Sequence, residues 1–252
     1  MTARRTVLAG LFASFALAAC SGPTEAAETR VAVAANFAEP AREIAARFAA
    51  ATGHRAVLSF GSSGQFFAQI ANGAPFDIFL SADAERPIRA EAEGLSVRGS
   101  RFTYATGRLV LWSATPGLVD DAGAILARGG FDKLAIADPK TAPYGTAAVE
   151  TLRRLGLSER LAPRLVTGTS ITQAYQFTET GAAELGFVAL SQVVGHNRGS
   201  HWVVPASHHS PIDQQAVLLK RGADNASARA FMGFLKGAEA RTIIRRHGYE
   251  AA

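Results

Sequence analysis

Short β-type runs alternate with helical periodicity along almost the whole chain, and that alternation constrains the fold more than any other feature. "TRVAVAAN", "RAVLSF", "FDIFLSAD", "GRLVLWSA", "KLAIAD", "RLVTG", "ELGFVALS", "HWVVP" and "QQAVLLKRG" read as strands. Between them lie helical runs such as "AREIAARFAAATG", stopped by Gly53, and "GQFFAQIANG", stopped by Gly73. "NASARAFMGFLKGAEARTIIRRHG" closes the chain as one or two helices. The pattern calls for an α/β fold, mainly parallel sheets flanked by helices. Roughly ten strands exceed the ~4–6 of a usual single sheet, so two lobes are expected. Residues 29–107 plus 213–252 form lobe 1 and residues 108–212 form lobe 2, with two crossings and a ligand cleft between the lobes.

Residues 1–19 stand outside this pattern. Arg4 and Arg5 precede an apolar run from Val7 to Ala19. That run is shorter than the ~20 residues a membrane-spanning helix needs and has the form of a signal-peptide core. The mature chain is therefore expected to be exported to the periplasm, free or tethered at one end. Cys20 is the only cysteine, so no intramolecular disulfide can form. Its setting, Leu17-Ala18-Ala19-Cys20, resembles a lipobox, which would make Cys20 a lipidation site and residues 20–28 a tether. The alternative is ordinary cleavage near Ala26-Ala27, with Cys20 discarded.

The formal charge is +5, and losing Arg4 and Arg5 with the leader leaves about +3. Basic residues are scattered rather than striped among aromatics, so nucleic acid is not an expected partner. A mild positive field instead favours collection of small anions.

In open α/β sheets, ligands bind beyond the carboxyl ends of strands, where helices begin. Four such junctions carry small polar or hydroxyl residues: Asn36 in "VAVAANFAEP", Ser62 and Ser63 in "GSSGQ", Thr141 and Tyr144 around Pro143 in "DPKTAPYGTAA", and Thr169 or Ser170 before Ile171 in "TGTSITQAY". Each offers N–H groups unpaired within its helix, and a helix N-terminus attracts an anion without a cationic side chain. Taken singly, such residues are ordinary helix caps. Brought together, they would form a cage of donors suited to a small, fully ionised oxyanion. No arginine fork stands near "GSSGQ" or "TGTSITQ" to hold an organic carboxylate.

Enzymatic signatures are missing. "GSSGQ" is not the nucleophile elbow, since Gln65 replaces its last glycine, and neither nucleotide-binding glycine motif occurs. His196, His201, His208 and His209 match no zinc spacing, and Asp77, Asp83 and Asp138 at strand ends read as turn-capping residues. No cofactor is expected. The rival readings are a protein of the same fold for sulfate, phosphate or a small organic ligand, and a lipid-anchored hydrolase using the Asp or His groups.

"VAVAANFAEPAREIAARF", "SFGSSGQFFAQIANGAPFDIFLSAD", "AIADPKTAPYGTAAVETLRRLG" and "AELGFVALSQV" together resemble the periplasmic molybdate-binding proteins of ABC importers, over Arg30 to Tyr249. The resemblance implies the two-lobed periplasmic binding protein fold, with molybdate or tungstate as ligand, an inner-membrane ABC permease as partner, and a monomer. It places the oxyanion on Asn36, Ser63, Tyr144 and Ile171, with Ile171 able to give only its backbone N–H. Some members carry a binding tyrosine where this chain has Ala189. Tyr144 would then replace it from another direction, or the site would make one fewer contact.

Overall fold

The computed structural model describes residues 27–195 and 198–251. The leader, Cys20 and most of the 20–28 tether lie outside the described residues, as does His196. Among the described residues eleven strands are formed: β1 (Glu28–Ala34), β2 (Arg55–Gly61), β3 (Ile78–Leu80), β4 (Phe102–Gly107), β5 (Leu109–Ser113), β6 (Leu134–Ala137), β7 (Leu165–Gly168), β8 (Leu185–Ala189), β9 (Ser200–Val203), β10 (Ile212–Leu218) and β11 (Glu250–Ala251). The α-helices are α1 (Ala38–Thr52), α2 (Ser63–Ala71), α3 (Glu85–Ala92), α4 (Ile125–Arg128), α5 (Pro143–Arg154), α6 (Ser158–Leu161), α7 (Ile171–Glu179), α8 (Ala226–Leu235) and α9 (Ala238–Arg246).

The strands form two sheets. The first has the order β11-β4-β10-β3-β1-β2 and the second β7-β6-β8-β5-β9. Both are mixed. β1 runs parallel to β2 and β3, and β6 parallel to β7 and β8. β10 is antiparallel to β3 and β4, and β5 to β8 and β9. The chain's path explains the mixture. Helices α1, α2 and α3 return β2, β3 and β4 in one direction, and α5 and α7 do the same for β7 and β8, whereas β5 and β10 enter their sheets directly from the two passages, without a crossover helix, and run against their neighbours. Only Arg108 separates β4 from β5, and residues 204–211 carry the chain back.

Strand alternation divides each core between two faces. In the first sheet Val31 and Val33 pack with Ile44 and Phe48 of α1 and Phe231 of α8, while Ala32 faces Phe66, Phe67 and Ile70 of α2. In the second, Leu109 and Leu111 meet Leu152 of α5, while Val110 and Trp112 face the opposite side with Val188. Ala34, Ala35 and Ala82, at strand ends of the first sheet, join the core of the second. The two lobes are therefore closed on each other, with the carboxyl ends of β1, β2 and β3 against those of β6 and β7.

Two strands escape the alternation rule. β4, "FTYATG", mixes threonine and glycine with aromatics, and β11 is only two residues long. Both are defined by antiparallel pairing to a distant partner, which local periodicity does not report.

Candidate functional site

Four strand-to-helix junctions converge in the cleft. Ala34 ends β1, with Ala35 and Asn36 after it; Gly61 ends β2, with Ser62 and Ser63 after it. Ala142, Pro143 and Tyr144 open α5, Ile171 opens α7, and Ala82 follows β3. Together they line one small cavity of about 10 Å³. This is far below the ~300–1,000 Å³ of pockets for drug-sized ligands. No lining residue carries an ionisable acid or base apart from the phenol of Tyr144.

The local chemistry of each junction explains its shape. Ser62 is the N-cap of α2, its hydroxyl accepting from Gln65 N at 3.4 Å. Ser170 caps α7 in the same way, accepting from Gln173 N at 3.3 Å. Pro143 occupies the first turn of α5, where its missing N–H is no loss. These caps leave the N–H groups of Ser63, Tyr144 and Ile171 in first turns, where helix geometry supplies no acceptor. Among the described residues none of the three, nor the N–H of Asn36, meets a backbone carbonyl outside its own element. Ser63 adds a hydroxyl: its Oγ accepts from Ala82 N at 2.9 Å, so its proton remains available.

The four residues singled out from sequence thus line one cavity, but two of them differ from expectation in how they are used. Asn36 does not cap α1. It sits in a short 3₁₀ turn, Ala35–Phe37, and α1 begins after Phe37 with no side-chain cap. The helix register starts at Ala38, with Phe37 rather than Asn36 in the capping position. Both amide protons of Asn36 are already engaged, with Gln214 Oε1 at 2.9 Å and Tyr249 Oη at 3.0 Å. What Asn36 can offer the cavity is its backbone N–H. Similarly, the Tyr144 phenol reaches past the cavity to Gln214 Nε2, from which it accepts at 3.3 Å. Burial, then the neighbouring phenols of Tyr249 and Tyr104, push the Tyr144 hydroxyl well above its usual range. It stays protonated and uncharged.

Ala189 does not line the cavity. It is fully buried at the end of β8, its N–H donating to Gln192 Oε1 at 3.0 Å. Asp77 accepts from Arg30 N at 2.8 Å, and Asp138 accepts from Lys140 N at 3.0 Å. Asp83 accepts from Ser81 Oγ at 3.0 Å and pairs with Arg86. Asp83 and Asp138 act within turns, whereas Asp77 ties Thr29, Arg30 and Asn225 together across the fold, and no hydrogen bond joins any two of the three. Among the described residues no group of three or more His, Cys, Asp or Glu could hold a metal ion.

Several residues that shape the site left no local signal in the sequence. Gln214, Tyr249 and Ser191 reach Asn36 from 155 to 213 residues away, Tyr104 backs Gln214 from β4, and only the tertiary fold collects them.

A family model described as bacterial extracellular solute-binding protein matches residues 29–250. The chain is similar to the molybdate-binding protein ModA of Rhodobacter capsulatus, with 55% identity over 97% of each chain. Its structure is similar to that of the periplasmic molybdate-binding protein of Azotobacter vinelandii, with a TM-score of 0.87 and 46% identity over 89% of this chain and 99% of that one. The sulfate-binding protein SubI of Mycobacterium tuberculosis shares the fold, with a TM-score of 0.76 at 12% identity over 90% of this chain and 87% of that one.

Proposed function

The chain belongs to the bacterial extracellular solute-binding protein family, and we propose that it captures molybdate, and also tungstate, in the periplasm and passes it to an inner-membrane ABC permease. It acts as a binding protein, not an enzyme. The observation that carries this reading is the small cavity between the lobes, bordered by four unpaired N–H groups and no ionised side chain. Such a site suits a fully deprotonated tetrahedral dianion, which presents acceptors on every side and no proton to be accepted.

Desolvating a dianion is costly unless each oxygen meets donors. Asn36 and Ser63 supply donors from lobe 1, and Tyr144 and Ile171 from lobe 2, so only closure of residues 29–107 plus 213–252 onto residues 108–212 completes the shell. Hinge closure at residue 108 and residues 204–211 is the mechanism we assign. The helix N-termini of α2, α5 and α7 aim partial positive charge at the anion without titrating. Discrimination against sulfate, which has the same charge and shape, falls to cavity size. In this reading the mature chain works as a monomer, and Cys20 is the lipidated first residue that anchors it.

Elemental analysis of protein purified from molybdate-supplemented cells tests the assignment. Near-stoichiometric molybdenum that survives dialysis supports it. Protein that carries sulfur or phosphorus oxyanion instead, or none, rejects it. The intact mass of the mature N-terminus reports separately on Cys20.

A further inference from the structure

Behind the cavity lies a buried polar cluster that an anion cage does not by itself require. Gln214, on β10, is completely buried. Its Oε1 accepts from Asn36 Nδ2 at 2.9 Å and from Tyr104 Oη at 3.1 Å, and its Nε2 donates to Tyr144 Oη at 3.3 Å. Asn36 is gripped from the other side too. Its Nδ2 donates to Tyr249 Oη at 3.0 Å. Its carbonyl accepts from Tyr249 Oη at 2.7 Å and from Ser191 Oγ at 2.9 Å.

These partners are divided between the lobes. Asn36, Tyr104, Gln214 and Tyr249 belong with the first sheet, whereas Tyr144 opens α5 and Ser191 follows β8 of the second. The bonds from Gln214 to Tyr144, and from Ser191 to the Asn36 carbonyl, therefore exist only while the lobes are together. The fit is close at the crossing itself: a Cβ on Gly107 would collide with the Tyr144 hydroxyl and lie 2.8 Å from Gln214 Nε2. With the Asn36 amide nitrogen donating, Gln214 presents its oxygen to Asn36 and its nitrogen to Tyr144.

We propose that Gln214 and Tyr249 are positioning residues, which hold Asn36 in the anion site and tie its orientation to lobe closure through Tyr144 and Ser191. The inference rests on the oxyanion reading of the cavity. When the lobes part, water replaces the lost partners, so the relay biases the open–closed equilibrium rather than locking it. Its effect falls on release of the anion rather than on its encounter.

The test compares the mature wild-type chain with Gln214→Leu, Tyr249→Phe, Ser191→Ala and Ser191→Thr. Molybdate association and dissociation rates are followed by stopped-flow fluorescence, and the radius of gyration at saturation by small-angle scattering. Gln214→Leu and Tyr249→Phe are expected to dissociate about tenfold faster or more, with association changed less than about threefold. Their saturated radius should stay nearer the open value. Ser191→Ala shifts the same way, and Ser191→Thr, which keeps the hydroxyl, restores the wild-type rate. Should Gln214→Leu fail to fold, the half-buried Ser191 pair decides. Variants that release molybdate and close like the wild type would overturn the inference while leaving the site intact. A wild-type chain that binds no molybdate overturns the oxyanion reading, and the inference with it.

Discussion

The backbone N–H of Gly64 donates to the carbonyl of Thr141 across the cleft, at 2.8 Å. A Cβ at position 64 would stand 2.9 Å from both the Cα and the carbonyl oxygen of Thr141. Gly64 lies in the first turn of α2, so alanine suits its own helix better than glycine, by up to about 1 kcal/mol. The clash exists only when the lobes meet. Gly64→Ala is therefore expected to leave the melting temperature of the ligand-free chain unchanged or slightly raised, while molybdate binds more weakly. Calorimetry and thermal melts on the same sample check both halves. A variant that binds as tightly as the wild type would show that the lobes do not meet at Gly64.

Ser63→Ala removes a hydroxyl from the cavity and leaves Ala82 N without its acceptor at 2.9 Å. Hydrogen bonds to charged groups contribute about 1.5–3 kcal/mol, so Kd for molybdate should rise about ten- to hundredfold. Unchanged affinity by isothermal titration would remove the Ser63 hydroxyl from the site.

Ile171 is expected to serve through its N–H alone, and a single pair of substitutions separates backbone from side chain. It is the first residue of α7, where proline is sterically acceptable, and Ser170 before it is already extended at φ −149°, ψ 168°. Ile171→Pro deletes the donor with little disturbance to the helix and should weaken binding about tenfold or more. Ile171→Val should bind like the wild type. If the proline variant folds and binds normally, the α7 terminus is not a ligand.

The site should be indifferent to pH where the chain is folded. Burial pushes the Tyr249 phenol up to about 12, and burial likewise holds Tyr104 and Tyr144 in the neutral form. Molybdate affinity is therefore expected to be flat between about pH 7 and 9. Stability is another matter. The raised phenols favour the fold below their ordinary value of 10, and that contribution is lost as pH climbs through their raised folded values. At the acid end, the hydrogen bond from Arg246, and after it that from His247, hold the Glu43 carboxyl below its ordinary 4.5. Its contribution is present above 4.5 and fades as pH falls through the lowered folded value. Glu43→Gln should flatten the acid limb of a plot of melting temperature against pH. An unaltered limb would show that Glu43 carries no part of it.

Much of this arrangement was legible in the sequence, for identifiable reasons. β1 with α1 and β2 with α2 announce themselves through local periodicity, and Ser62, Ser170 and Pro143 through cap chemistry that operates within four residues. The convergence of four junctions follows from a general property of α/β sheets, which put strand ends and helix starts at one edge. β4 was missed because its pairing with β10, 110 residues away through Tyr104 and Gln214, leaves no periodic trace. The side-chain partners of Asn36 and Tyr144 left no trace for the same reason. A side chain's partners depend on what the fold brings to it, and Gln214 and Tyr249 arrive from the far end of the chain.

The central claim is a cage of neutral donors sized for one dianion, and titration calorimetry of the purified mature chain with molybdate, in the presence and absence of excess sulfate, tests it most directly. The account predicts tight 1:1 binding of molybdate, barely shifted by sulfate or by added sodium chloride, because no exposed cation contributes to the site. Absence of molybdate binding, or displacement by sulfate at comparable concentration, would contradict it and leave the four junctions as helix caps.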